Sequence, residues 1–191
     1  LSRVFTSSLT NADKFTISFW VKMGHITTGQ VPLSNTNTGG NGIWVELRSD
    51  GTLGFIDYNP GSVVWNIETT RKMLDPTSWY HIVINGDSTQ ATDTNRLKIY
   101  INGVQETSVA STTYAAQNTD FQWNKEMSGT SNGWKIGESY NSSSRFIGYL
   151  AHIHNVDGTA LTPSTFGETD STTGEWKPIT SPTGITYGTN G

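Results

Sequence analysis

The chain has 191 residues, no cysteine, a formal net charge of -4 and only 15% charged residues. This excludes disulfides and thiolate metal sites, and the scattered basic residues form no run that reads as a nucleic-acid patch. No apolar stretch reaches the about 18 residues that a membrane-spanning helix needs, while 11% aromatics among abundant Gly, Ser, Thr and Asn indicate a folded, turn-rich β-protein rather than a disordered one.

Period-2 alternation dominates the chain. In "KFTISFWVKM", Phe15, Ile17, Phe19 and Val21 share one strand face, and Thr16, Ser18, Trp20 and Lys22 the other. "GIWVELRSDGTLGFIDY" reads as two strands joined at Asp50-Gly51, since Asp-Gly supplies the positive φ of a tight turn. "SVVWNI" follows as a short strand. In "SWYHIVING", Trp79, His81 and Val83 lie opposite Tyr80, Ile82 and Ile84, and both Trp20 and Trp79 are expected in the core. "RLKIYINGVQETS" predicts a hairpin turning at Asn102-Gly103. "GWKIGES" and "FIGYLAHIHNV" supply two late strands, and "LTPSTFGE" suits a single helical turn with Thr162 as N-cap and Pro163 after it. Segments 85–96 and 111–132 read as long polar loops. Strands at this spacing predict an all-β sandwich or jelly roll, with residues 1–191 forming a single domain.

Four constellations bear on chemistry. His152 and His154 stand at i and i+2, so a regular strand would point both imidazoles to one side, with Asp157 or Glu168 as further metal ligands; the simpler expectation is that they face outward from the sheet, where both are candidates for contact with a ligand or partner. Glycan hydrolysis needs two carboxyls about 5–10 Å apart, yet Glu46 stands alone on its strand and no acid-x-acid series occurs. No nucleophile elbow or phosphate-cradling glycine motif is present, so no catalytic residue is assigned. Asp87 and Asp93 are the residues to test for calcium, which takes six to eight oxygens; no other cofactor is indicated. Tyr58, Trp65, Trp123 and Tyr140 lie beside loops, and flat rings with a polar handle suit sugar faces.

"WYHIVINGDSTQATDTNRLKIYINGVQETS" resembles the laminin-G-like, concanavalin A-like jelly roll. "RFIGYLAHIHNVDGTALTPSTFGETDSTTGEWKP" resembles a narrower group, the laminin-G-like domains in structural and tail proteins of tailed, often marine, bacteriophages. Broader relatives often carry an Asp-Glu pair where this chain has Ala151 and His152. The resemblance implies an antiparallel two-sheet jelly-roll sandwich and a non-catalytic virion-surface module of a longer polypeptide (tail fibre, tail-associated or capsid decoration protein), whose partners are cell-surface glycans or other virion proteins, as a homo-oligomer on the particle. A purely structural packing module and a glycan-cleaving enzyme are the alternatives. Neither nucleic acid nor membrane insertion is expected.

Overall fold

Alternation of apolar and polar residues builds two antiparallel sheets in the computed structural model, which describes residues 1–37, 42–59, 62–110, 113–126, 133–139 and 144–191. In chain order the strands are β1 (Ser2–Arg3), β2 (Lys14–Met23), β3 (Gln30–Thr36), β4 (Gly42–Leu47), β5 (Leu53–Asn59), β6 (Ser62–Glu68), β7 (Tyr80–Asp87), β8 (Leu97–Ile101), β9 (Val104–Gln105), β10 (Gly133–Ile136), β11 (Gly148–Asp157), β12 (Gly167–Thr169) and β13 (Trp176–Pro178). A six-stranded sheet runs β1-β10-β3-β4-β5-β6, a five-stranded sheet runs β11-β2-β7-β8-β9, and β12-β13 forms a separate hairpin. This is the expected jelly-roll sandwich. Among the described residues no helix is long and apolar enough to cross a membrane.

The core lies between the two large sheets. Phe15, Ile17, Phe19 and Val21 of β2 meet Ile43, Val45, Phe55 and Trp65 from the opposite sheet. The Asn102-Gly103 turn forms as expected, with φ of 50° and 80°, the pair of positive angles a two-residue type I′ hairpin requires. The Asp50-Gly51 connection is longer, since Leu47 pairs with Leu53 and the Arg48 amide donates to the Thr52 carbonyl at 2.9 Å.

β3 and the segment around Phe121 had no sequence signal, and neither did β1 or the β12-β13 hairpin. β3 carries Pro32, which cannot donate to a ladder, yet it sits between β10 and β4. A register shift between Gln30 and Leu33 accommodates it on the β4 side. The segment read as loop 111–132 sends Phe121 and Trp123 into the core. Asn35 Nδ2, inside the sandwich, lies 2.8–3.0 Å from the carbonyls of Gln122, Trp123 and Lys125 and holds that segment in place.

The outer face of the five-stranded sheet is half covered. A C-terminal flap, comprising a 3-10 turn at Pro163–Thr165 and the β12-β13 hairpin, lies on it. Phe166 packs on Val83 and Val156. Asn85 Nδ2 donates to the Leu161 carbonyl at 2.7 Å, and Thr16 Oγ1 bridges Thr159 and Leu161 at 2.7 Å each. Trp176 is the far anchor. Its Nε1 donates to His81 Nδ1 at 2.8 Å, and its ring occupies the space a side chain at Gly103 would need. Because an indole N–H only donates, His81 Nδ1 is a bare acceptor and the proton sits on Nε2, which donates to Ser18 Oγ at 2.9 Å.

Burial, and then the charges of His154 and His152, lower the His81 pKa to about 4 from 6.5. Asp57 moves the other way: it lies inside the sandwich beside Trp65, and burial raises its carboxyl to about 6 despite the indole hydrogen bond. His81 therefore contributes stability above its unfolded pKa that is lost as pH falls through about 4. Asp57 contributes stability below 3.8 that is lost as pH rises through about 6. The two slopes oppose each other over the same window. Urea denaturation of the wild type should show little net pH dependence from this pair. Asp57→Asn should unmask a loss of about 1.4 kcal/mol per pH unit on acidification from pH 6 to pH 4. A flat Asp57→Asn profile would show that His81 is not buried as a neutral base.

Candidate functional site

β2 lies between β11 and β7 in its sheet, so its outward residues stand between two neighbours. Tyr149 of β11 pairs with Lys22, and Tyr80 of β7 pairs with Val21, which brings Trp79 level with Lys22. Alternation places Lys22 on the same face as Trp20, Ser18 and Thr16. The flap covers Thr16 and Ser18 and reaches His81, whose ring lies nearly parallel to Trp20 at 5.0 Å. It stops there. The next row, Tyr149–Lys22–Trp79, is open, with Trp79 40% and Tyr149 66% exposed and their ring centroids 6.5 Å apart.

Trp79, expected in the core, is thus a surface ring. A strand alternation decides only which face a residue takes, and this face is buried under the flap at His81 but uncovered at Trp79. The row is two aromatic surfaces and a lysine on a regular sheet. Rings of this kind stack on the C–H faces of flat, partly apolar ligands.

The residues singled out from sequence are scattered. Trp65 and Trp123, expected to touch ligand, are 1% and 0% exposed in the core, against Phe55 at 5.1 and 5.5 Å. Both adjoin loops in sequence, but Trp65 points inward with Asp57, and Trp123 Nε1 donates to Asn155 Oδ1 at 2.7 Å within the sandwich. Tyr58 lies on the outer face of the six-stranded sheet, partly buried beside Trp44 at 6.3 Å. Tyr140 lies outside the described residues.

His152 and His154 do not form the regular i, i+2 pair. The register places His152 and Ile153 opposite the single residue Phe19, a β-bulge, and His152 takes φ 47°. His152 is exposed, whereas His154 packs between Phe166 and Tyr187 with Nδ1 2.8 Å from the Tyr187 hydroxyl. Burial, then the charge of His152, lowers the His154 pKa.

The oxygens of Asp87 serve Thr89, Gln90 and Lys14, and Asp93 accepts from the Thr94 amide at 2.7 Å. Hydrogen bonds from Thr89 and Gln90 hold the Asp87 carboxyl below its ordinary range against the opposing effect of burial. Both aspartates do turn chemistry. Among the described residues no group of three or more His, Asp or Glu could hold a metal ion.

Potential catalytic pairs are similarly occupied. Glu46 and Glu68 flank Gly54 on the six-stranded sheet, but Arg48 lies between them at 3.5 and 2.9 Å. The Ser18–His81 contact is buried, and His81 donates to the serine instead of accepting its proton.

Residues 3–166 match the family model described as the concanavalin A-like lectin/glucanases superfamily, so the chain belongs to that superfamily. No curated protein sequence matches it. Among solved structures, the chain is similar to the Ruminococcus gnavus IT-sialidase CBM40 bound to α2,6-sialyllactose, at 12% identity and TM-score 0.59 over 81% of each chain. It is similar also to the heptameric SAP-like pentraxin of Limulus polyphemus (18%, TM-score 0.52, 83% of this chain and 70% of that one). A third is domain 4 of the extracellular arabinanase AbnA of Geobacillus stearothermophilus in complex with arabinotriose (20%, TM-score 0.52, 82% and 66%). At these identities the likeness is one of fold.

The division of the face into a covered and an open row is testable by stability. Trp176→Ala should cost about 2–3 kcal/mol in urea denaturation, because it removes the flap anchor. Trp79→Ala should change stability by less than about 0.5 kcal/mol, as for an exposed residue. Equal losses would mean that Trp79 is structural.

Proposed function

We propose that this protein is a non-catalytic carbohydrate-binding module, and that the Tyr149–Lys22–Trp79 row is its binding surface. The observation that carries this is the exposure of two large rings 6.5 Å apart on a sheet face whose other half is capped by the protein's own flap. Exposed aromatics on a rigid support lose little entropy when a sugar stacks on them. The sugar complexes of two fold relatives, with sialyllactose and with arabinotriose, support the same class of ligand. A non-catalytic role is supported by carboxylates engaged with Arg48 and by a histidine fixed as donor to its serine.

The resemblance of Phe146–Pro178 to phage tail and structural proteins supports a place on a virion surface, in a tail fibre, tail-associated or capsid decoration protein. Single sites would bind weakly there, and copies on a symmetric particle, as a homo-oligomer, would supply avidity.

Affinity electrophoresis in gels containing bacterial surface polysaccharides tests the reading. Wild type should be retarded by at least one polymer, and Trp79→Ala/Tyr149→Ala should lose at least about tenfold in affinity while keeping its melting temperature. If no polymer retards the wild type, or if the double variant binds equally well, the surface serves packing against other virion proteins instead.

A further inference from the structure

The charge of the platform points to a narrower ligand class. The chain is acidic overall, at -4, and most of its described cations are engaged. Lys14, Arg48, Arg71, Lys72 and Lys177 each pair with a carboxylate, and Arg96 donates to the carbonyls of Gln90, Ala91 and Ala115. Lys22 and Lys98 are different: among the described residues neither makes an ion pair or a side-chain hydrogen bond. Of the two, Lys22 stands on an interior strand of its sheet, between two exposed rings.

Its neighbours do not neutralise it. The acidic side chain nearest to Trp79 in sequence is Asp75, and its oxygens are oriented by the Thr77 amide at 2.8 Å, the Thr77 hydroxyl at 2.6 Å and the Ser78 hydroxyl, with no ion pair to Lys22. Lys22 is partly exposed, and its aliphatic stem shares the face with the two rings while its ammonium stays available. A neutral sugar would use the rings and leave the cation idle. A sugar bearing a carboxylate would use both, stacking its ring while an oxyanion accepts a charge-assisted hydrogen bond, which is about twice as strong as a neutral one.

We infer that the Tyr149–Lys22–Trp79 row selects carboxylated sugars, with Lys22 as the residue that reads the carboxylate. This rests on the carbohydrate-binding reading above and adds the ligand's charge to it. The shared chemistry is a pyranose carrying a carboxylate, and it has two sources: hexuronic acids of acidic polysaccharides and nonulosonic acids at glycan termini.

Two matched pairs of ligands separate charge from stacking. Oligogalacturonide is compared with its methyl ester, and α2,6-sialyllactose with its sialic acid methyl ester, by calorimetric titration of the full chain at low and high salt. The acid of at least one pair should bind about tenfold tighter than its uncharged counterpart, and the pair that shows this names the source. Lys22→Gln should erase that preference, so that acid and uncharged sugar bind equally, with the melting temperature preserved. The preference of the wild type should also shrink as salt rises from roughly 50 to 500 mM. Equal affinity for acid and uncharged sugar in both pairs, or a preference that survives in Lys22→Gln, overturns the charge assignment while the carbohydrate reading stands. Failure of every ligand to bind, or binding that Trp79→Ala/Tyr149→Ala leaves intact, overturns both.

Discussion

A single hydrogen bond orders the outer face of the five-stranded sheet. Trp176 Nε1 can only donate, so its 2.8 Å contact with His81 Nδ1 requires an unprotonated nitrogen there. That requirement fixes the tautomer, points the remaining proton at Ser18, and keeps the ring neutral beside Trp20. It also anchors the flap. Leu161 and Phe166 hold one end of the flap through Thr16, Asn85, Val83 and Val156. Trp176 holds the other at His81 and Gly103.

The position of that anchor decides what remains open. β2 buries its inward face throughout against the core and its outward face from Thr16 to Trp20. One row further the cover ends, and three side chains of one register line are left to solvent or to a ligand. An exposed tryptophan beside an exposed tyrosine is unusual on a surface that a flap of the same chain could have covered. The opposite sheet also carries an outward aromatic pair, Trp44 with Tyr58, but both are partly buried and the nearby Arg48 is consumed by Glu46 and Glu68. The two faces therefore differ in what they offer: one has engaged charges, the other an idle cation between free rings.

The sandwich was legible because β2 and β8 alternate, β7 carries the β-branched run Ile82-Val83-Ile84, and Asn102-Gly103 admits few other conformations. Membership of the concanavalin A-like superfamily agrees with the residues that suggested it. Local pattern misled elsewhere for physical reasons. Pro32 masks β3, whose pairing shifts register around it. Phe121 and Trp123 enter the core from a segment without periodicity, held by the long-range contacts of Asn35. Trp65 and Trp123 lie near loops in sequence, but proximity along the chain says nothing about the direction of a ring. Trp79 showed the reverse error, since alternation assigns a face and only the flap's extent determines exposure. The His152 bulge arises from pairing with β2, which no i, i+2 spacing encodes.

Chemical-shift mapping during a sugar titration tests the central claim most directly, because it locates the ligand without altering the protein. Backbone amides of Lys22, Trp79 and Tyr149 and the Trp79 indole N–H should shift together, while those of Trp44 and Tyr58 on the opposite sheet stay in place. Shifts centred on Trp44 and Tyr58, with the Trp79 indole unmoved, would contradict the account.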